Sequence, residues 1–238
     1  VLSKLGVCSR AQARALIGAG RVRVDGRIVR DPEAPTDARH ARITIDAAAV
    51  AAAEKVYLML NKPRGHVTTS SDERGRDTVY ALLRGANLPW LAPVGRLDKA
   101  SEGLLLFTND SAFAARLTDP ASHIDKTYHV QIDALPDATL LQRLQSGIDD
   151  GGERLSAKSV HELRRGEKNA WLEIVLDEGR NRQIRRLLAA FHIEVLRLVR
   201  VAIGPLVLGD LAKGKWRMLS AAEVAIHAVH SGARRNPD

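Results

Sequence analysis

The sequence is poor in residues that crosslink, ligate metals or stack: one cysteine in 238 residues, and three each of Phe, Tyr and Trp. The single thiol, Cys8, excludes an internal disulfide framework and any zinc site built from several cysteines. Histidine offers no substitute. His40, His66, His123, His129, His161, His192, His227 and His230 are scattered, with no His-Glu-x-x-His or comparable ligand spacing, so no metal is expected. Long hydrophobic runs are missing as well, and nothing approaches the roughly 18 apolar residues of a membrane span. The opening VLSKLGVCSR lacks the apolar stretch of a secretory signal, so a cytoplasmic location is expected, and Val in first place suggests a trimmed N-terminus. NKPRGH contains Lys and Gly but not the spacing of a phosphate-binding loop, so no nucleotide cofactor is expected. Internal repeats and low-complexity tracts are absent.

Positive charge is abundant. At a formal net charge of +8, with 45% hydrophobic and 27% charged residues, the chain is globular, long enough for a core plus a smaller companion domain, and suited to a polyanionic partner. The charge is uneven. The first 30 residues hold seven bases (Lys4, Arg10, Arg14, Arg21, Arg23, Arg27, Arg30) against one acid, Asp25. From Asp31 to Glu54 there are five acids and two arginines, with Pro32, Pro35 and the alanine-rich DAAAVAAAE. That reversal marks a small basic domain over 1–46, a linker over 47–54, a second domain over 55–230, and a loose basic tail over 231–238. Within the first domain Ser9 can cap a helix from about Arg10 to Ile17, and RVRVDGRIV alternates into an Asp25-Gly26 hairpin. One-signed charge at Lys4, Arg10, Arg14, Arg21 and Arg23 points to phosphate contacts, since an ordinary solvated face would mix in acids.

Beyond the linker, KVYLMLNKP, GLLLFT, KTYHVQID, AWLEIVL and VLRLVRVAI read as strands; SAFAARL, DATLLQRLQ and NRQIRRLLAAF read as helices. Their irregular order predicts an α+β domain on a mixed or antiparallel sheet.

Two features could carry chemistry. In DEGRNRQIRRLLAAF, Asn181 is a plausible cap, and Ile184, Leu187, Leu188 and Phe191 form a core stripe. Arg182, Arg185 and Arg186 in its first turns, with Arg180 just before, oppose the helix dipole unless an anion is held nearby. Arg182 and Arg186 project away from the stripe, whereas Arg185 lies at its edge and can reach a partly buried carboxylate. The alternative is a surface pairing with Glu178 or Glu194. The other feature is Asp98 in VGRLDKASEGLLLFTND, the candidate partner of Arg185. On its own it also suits a structural turn after Gly95, and Glu102 could serve as a second acid of a glycosidase-like pair. Tyr128 is either half-buried packing or a stacking platform for a base.

NKPRGHVTT, VGRLDKASEGLLLFTND, KTYHV, EGRNRQIRR and LRLVRVAIGPL together, and in this order, resemble the RsuA/RluB/RluE/RluF-type ribosomal RNA pseudouridine synthases. The stretch VLSKLGVCSRAQARALIGAGRVRVDGRIV is similar to the S4-like (alpha-L) RNA-binding module that precedes the catalytic domain in these enzymes. The resemblance covers nearly the whole chain, and no motif position carries an unsuitable residue. It implies a pseudouridine synthase fold, α+β, with a mixed, mostly antiparallel sheet, flanking helices and an S4-like domain before it. It also implies isomerisation of a uridine in ribosomal RNA with no cofactor, and a ribosomal RNA or assembling subunit as partner; separately, no heptad seam or long exposed apolar stripe demands a dimer, so a monomer is expected. Residue by residue it makes Asp98 the catalytic aspartate, Tyr128 the base-stacking tyrosine, Arg185 the base paired with the aspartate, and Leu198 an apolar wall of the uracil pocket. Lys62 and Arg96, in the first two motifs, are expected at the substrate, and Arg180, Arg182 and Arg186 at flanking phosphates. A non-catalytic RNA-binding factor on the same scaffold is the rival expectation.

Overall fold

The computed structural model describes residues 1–37, 40–69 and 75–229. In the first unit the Ser9 side chain accepts from the Gln12 amide at 3.0 Å, and the Gln12 side chain accepts from the Ser9 amide at 2.9 Å. This reciprocal cap starts helix α1, Arg10–Gly18. Strands β1 (Val22–Val24) and β2 (Arg27–Ile28) meet across Asp25 and Gly26, both at positive φ, 49° and 81°, the requirement of a tight hairpin turn. With β3 (Ile43–Ile45) and β4 (Ala48–Ala49) they form a four-stranded sheet ordered β2-β1-β3-β4. Leu2, Cys8, Val22 and Ile43 are its core, so Cys8 serves as a small apolar residue. Strand β4 falls inside the stretch expected as linker. Its alanines have no polar and apolar alternation to announce a strand, and the turn at Asp46-Ala47 creates it.

The second unit runs β5 (Tyr57–Lys62), β6 (Ala92–Val94), β7 (Glu102–Thr108), α2 (Ser111–Thr118), β8 (Lys126–Ile132), α3 (Ala138–Ser146), β9 (Ile148–Asp150) and β10 (Glu153–Leu155). It continues with β11 (Ser159–Arg165), β12 (Ala170–Leu176), α4 (Gln183–Ala189), β13 (Val195–Ile203), β14 (Leu206–Val207), β15 (Trp216–Met218) and α5 (Ala221–Val229). Nine strands make one sheet with the path β11-β12-β8-β13-β7-β5-β15, β14 and β6 pairing at the side. Every pairing is antiparallel except β13 with β7, so the sheet is mixed and mostly antiparallel, as expected.

Strand β7 explains its own apolar run. Leu104 and Leu106 join a cluster with Phe113 and Leu117 of α2, while Leu105 and Phe107 join another with Leu58, Leu60, Leu91 and Leu97. A strand covered on both faces reads as continuous hydrophobicity, each such side chain stabilising by about 1.5–3 kcal/mol. Gly103 makes the parallel crossing possible: it sits at φ 99°, and a Cβ there would lie 2.2 Å from the Arg200 carbonyl oxygen. A third cluster holds β8, β12 and β13 against α3 and α4 through Val130, Ile132, Leu172, Leu144, Leu187 and Leu188.

The α4 segment corrects one expectation. Its N-cap is Arg182, in the left-handed region at φ 49°, rather than Asn181, and its first helical residue is Gln183. The buried Gln183 side chain makes that turn, accepting from the Arg180 amide and donating to the Ser156 carbonyl and the Glu178 carboxylate. The tail expected over 231–238 lies outside the described residues.

Candidate active site

Asp98 stands on the loop joining β6 to β7, and NKPRGHVTT clamps that loop from below. The Lys62 ammonium, at the end of β5, is fully buried and donates to the carbonyls of Pro63 (3.1 Å), Asp98 (3.0 Å) and Ser101 (2.8 Å). The Gly65 amide donates to the Lys99 carbonyl at 2.8 Å. Thr68 Oγ1 donates to the Leu97 carbonyl at 2.7 Å and accepts from the Leu97 amide at 3.2 Å. Lys62 was expected at the substrate. Instead its three donors are used within the fold, and it does not line the cleft above. Burial pushes it down to about 8, against the pull of Asp98 and Glu102.

That cleft has a volume of about 440 Å³. Arg96 and Asp98 enter it from the β6–β7 loop, Lys126 and Tyr128 from β8, Leu198 and Arg200 from β13, and Arg180, Arg182 and Arg185 from α4 and its lead-in. Six bases line it, with Asp98 the single carboxylate among the described lining residues. The elements place these side chains by simple rules. On β8 and β13 alternate residues face one way, so Tyr128 shares the inward face with Val130, and Leu198 with Arg200; Tyr128 and Arg200 are paired across the strands.

Asp98, Tyr128, Arg185 and Leu198 therefore meet at one cleft, although they are up to 100 residues apart in the chain. Arg185 is half-buried. Its Nη1 and Nη2 donate to the carbonyls of Val195 (3.3 Å) and Ala100 (3.4 Å), and its Nε is buried without a hydrogen-bond partner. The guanidinium thus holds the Asp98 loop by its backbone and forms no ion pair with the Asp98 carboxylate, which corrects the expected direct pairing: its Nη donors are taken by carbonyls. Burial pushes Arg185 down from its ordinary range, with Arg182 and Arg64 adding to the fall and Asp98 and Glu194 opposing it.

The remaining arginines divide. Arg186 is bound to Asp150 and Glu153, each at 2.6 Å, and does not line the cleft. Arg180 lines it but is bound to Glu178 at 2.8 Å and Glu153 at 3.0 Å. Both were expected at phosphates; the β9–β10 hairpin brings acids to them instead. Arg182 is exposed at the cleft with no ion pair among the described residues. Glu102 is likewise no second acid of the cleft. It is 1% exposed, hydrogen-bonded to Arg197 at 2.8 and 3.1 Å and ion-paired with Lys213 at 2.5 Å. Burial would raise it, and these two partners together outweigh burial and hold it below the usual carboxylate range.

On the first unit Lys4, Arg10 and Arg14 border one groove, with Arg14 bound to Glu33 at 2.9 Å. Arg21 is ion-paired with Asp46, and Arg23 donates to the Gly26 carbonyl at 3.0 Å. Sequence reading missed Thr68, Lys126 and Arg200. Arg200 had left a signal: a charge at an inward position of the otherwise apolar strand VLRLVRVAI. Among the described residues no group of three or more His, Cys, Asp or Glu could hold a metal, and no helix is long and apolar enough to cross a membrane.

A family model described as RNA pseudouridylate synthase matches residues 56–190, and one described as S4 domain matches residues 1–35. The chain is 35% identical over 227 residues to the ribosomal large subunit pseudouridine synthase B of Bacillus subtilis (strain 168), covering 94% of this chain and 92% of that one. It is 37% identical over 226 residues to an uncharacterized RNA pseudouridine synthase of Aquifex aeolicus (strain VF5), covering 94% and 90%. A solved pseudouridylate synthase superposes with a TM-score of 0.67 at 28% identity, covering 95% of this chain and 96% of that one. The first match runs from the strand that clamps the Asp98 loop to the helix that carries Arg185, and leaves out only the β13 contribution to the cleft. With that coverage and near full-length relatives, the chain belongs to the RNA pseudouridylate synthase family: it is an RNA pseudouridine synthase with an S4 domain at its N-terminus.

Proposed function

We propose that the enzyme isomerises a defined uridine of ribosomal RNA, on the large subunit, with Asp98 as its catalytic carboxylate. The observation that carries this reading is the make-up of the cleft, one carboxylate facing six bases. Pseudouridine formation breaks the bond between ribose C1′ and uracil N1 and joins C1′ to C5 of the same uracil. No electrons or co-substrate are consumed, so a single carboxylate suffices, acting on C1′ as nucleophile or on the neighbouring sugar proton as base. Arg185 steadies its loop. The target uridine is extruded from stacked RNA into the cleft, where Tyr128 supplies an aromatic face and Leu198 an apolar wall. Arg96 and Arg182 meet the flanking phosphates, and Lys4 and Arg10 of the S4 domain anchor RNA further out. The choice of the large subunit follows the name of the Bacillus subtilis relative. The enzyme works as a monomer in the cytoplasm, where ribosomal RNA is made in bacteria.

The test compares wild-type enzyme with Asp98→Asn on ribosomal RNA labelled with tritium at uridine C5, counting the tritium released. The variant should release none while binding RNA as before; sustained release would overturn the assignment. Pseudouridine mapping in ribosomal RNA from cells with and without the gene identifies the position, and an unchanged large-subunit map would overturn the substrate.

A further inference from the structure

Arg200, like Lys126 beside it, is a cleft base to which the proposed function gives no task. It is 6% exposed, at an inward position of a central strand, directly across from Tyr128. Its Nε donates to the Leu104 carbonyl at 2.8 Å, while Nη2 is buried with no hydrogen-bond partner. No carboxylate forms an ion pair with it among the described residues, and Asp98, the single acid lining the cleft among them, sits on the loop that Arg185 holds. Burying a cation without a counter-charge is strongly unfavourable, and the inward neighbours Leu198 and Ile203 show that an apolar residue suits this face. The neighbouring base compounds the anomaly. Lys126, half-buried two residues before Tyr128 on the same face of β8, is pushed down from its ordinary range by burial first and by the Arg200 charge next, with Asp125 and Asp177 opposing the fall. Two adjacent cations thus form the floor of a cleft whose single acid is assigned to the sugar.

An anion arises there during the reaction. Whichever sugar atom Asp98 attacks, the electron pair of the C1′–N1 bond departs with the uracil, whose charge spreads over N1, O2 and O4. The pair from C5 then forms the new bond to C1′, the C5 proton leaves, and N1 regains a proton. We propose that Arg200, seconded by Lys126, is a catalytic residue that faces the oxygen edge of the uracil stacked on Tyr128 and stabilises it as the leaving group. This rests on the assignment of Asp98 and Tyr128. A preorganised cation aimed at charge that develops in the transition state acts on the rate of conversion rather than on binding.

The experiment measures single-turnover conversion by the full-length enzyme on two ribosomal RNA transcripts, one with uridine and one with 5-fluorouridine. Converted nucleoside is read by mass spectrometry, as pseudouridine on the first transcript and, on the second, where C5 carries fluorine and has no proton to lose, as the rearranged 5-fluoro nucleoside with water added at C6; RNA affinity is read separately. Fluorine at C5 makes uracil a better leaving group, so it lessens the need for the cation. Arg200→Met should slow the uridine transcript by about 100-fold with unchanged RNA affinity, and the deficit should shrink by at least about tenfold on the fluorinated one. Arg200→Lys, which keeps the charge, should recover much of the rate. Equal slowing on both transcripts would mean a structural role, weaker RNA binding with an intact rate would mean a phosphate contact, and either would overturn the proposal. If Arg200→Met does not fold, Lys126→Met carries the same comparison, with a smaller loss and the same narrowing expected. Asp98→Asn run alongside separates the two readings: turnover by that variant removes the assignment of Asp98, whereas full activity of Arg200→Met beside an inactive Asp98→Asn removes only the role of Arg200.

Discussion

The arginines on and around α4 and the neighbouring β13 are one residue type in opposite electrostatic states. Arg186, which does not line the cleft, and Arg180, which does, are both saturated by Glu153, Glu178 and Asp150. Arg185 donates only to backbone carbonyls, and across the cleft Arg200 keeps a buried nitrogen unpartnered. An arginine at the cleft does not by itself mark the working face, since Arg180 lines it and is saturated. Unbalanced charge does: a fold that has acids available, and places them on Arg180 and Arg186, leaves Arg185 and Arg200 for a substrate.

The strongest way to break this comparison is to remove one arginine of each kind. Arg185→Met should lower single-turnover conversion by about 100- to 1000-fold, whereas Arg186→Met, measured in the same assay, should convert at close to the wild-type rate. Equal losses would erase the distinction between open and closed charge.

Lys62 sharpens the comparison, because it is a buried cation satisfied by carbonyls. Lys62→Met leaves three carbonyls without their donor and should destabilise the fold by about 3 kcal/mol in urea unfolding, with conversion falling as the Asp98 loop loosens. Its pH signature is distinctive. The folded value of about 8 lies below the unfolded value of 10.5, so between the two the unfolded chain binds the proton that the native chain has given up. Stability against urea should therefore rise from pH 8 to 10, while conversion falls over the same range, since a neutral amine has two donors for three acceptors. Parallel movement of the two curves would remove Lys62 from the clamp.

Glu102→Gln tests the acid that the cleft does not use. It should cost about 2 kcal/mol of stability, by loosening Arg197 and Lys213 around a buried side chain, and leave conversion unaltered once folded. A loss of conversion equal to that of Asp98→Asn would restore a two-acid mechanism. The smallest effect concerns the S4 domain: Lys4→Ala with Arg10→Ala should flatten the salt dependence of RNA binding by about one unit of slope per lost contact, whereas Arg21→Ala, already bound to Asp46, should not.

Much of the fold was legible because its elements announce themselves locally. AWLEIVL and VLRLVRVAI are strands over the residues read from the sequence, and the Ser9 cap and the Asp25-Gly26 turn sit where their chemistry placed them. Strand β11 escaped notice because SVHELRR is largely exposed at a sheet edge, and charge at an edge hides the period of two. At the site, Asp98, Tyr128, Arg185 and Leu198 were visible through ordered motifs, and the structure brings them to one cleft. Lys62 was visible as a residue but not in its role, since nothing local shows that its neighbours in space are carbonyls of the Asp98 loop.

What the sequence determined by itself is the list of parts: a basic module, a mixed sheet, one cysteine of no consequence, and a carboxylate beside a central strand. Propensity, periodicity and motif order are local properties, and they survive without a third dimension. Only the tertiary structure decided which charges cancel. The hairpin at Asp150 and Glu153 closes two arginines, and the parallel meeting of β7 and β13 at Gly103 sets Arg200 inside the cleft, because Coulomb interaction depends on separation in space and chain order does not fix it.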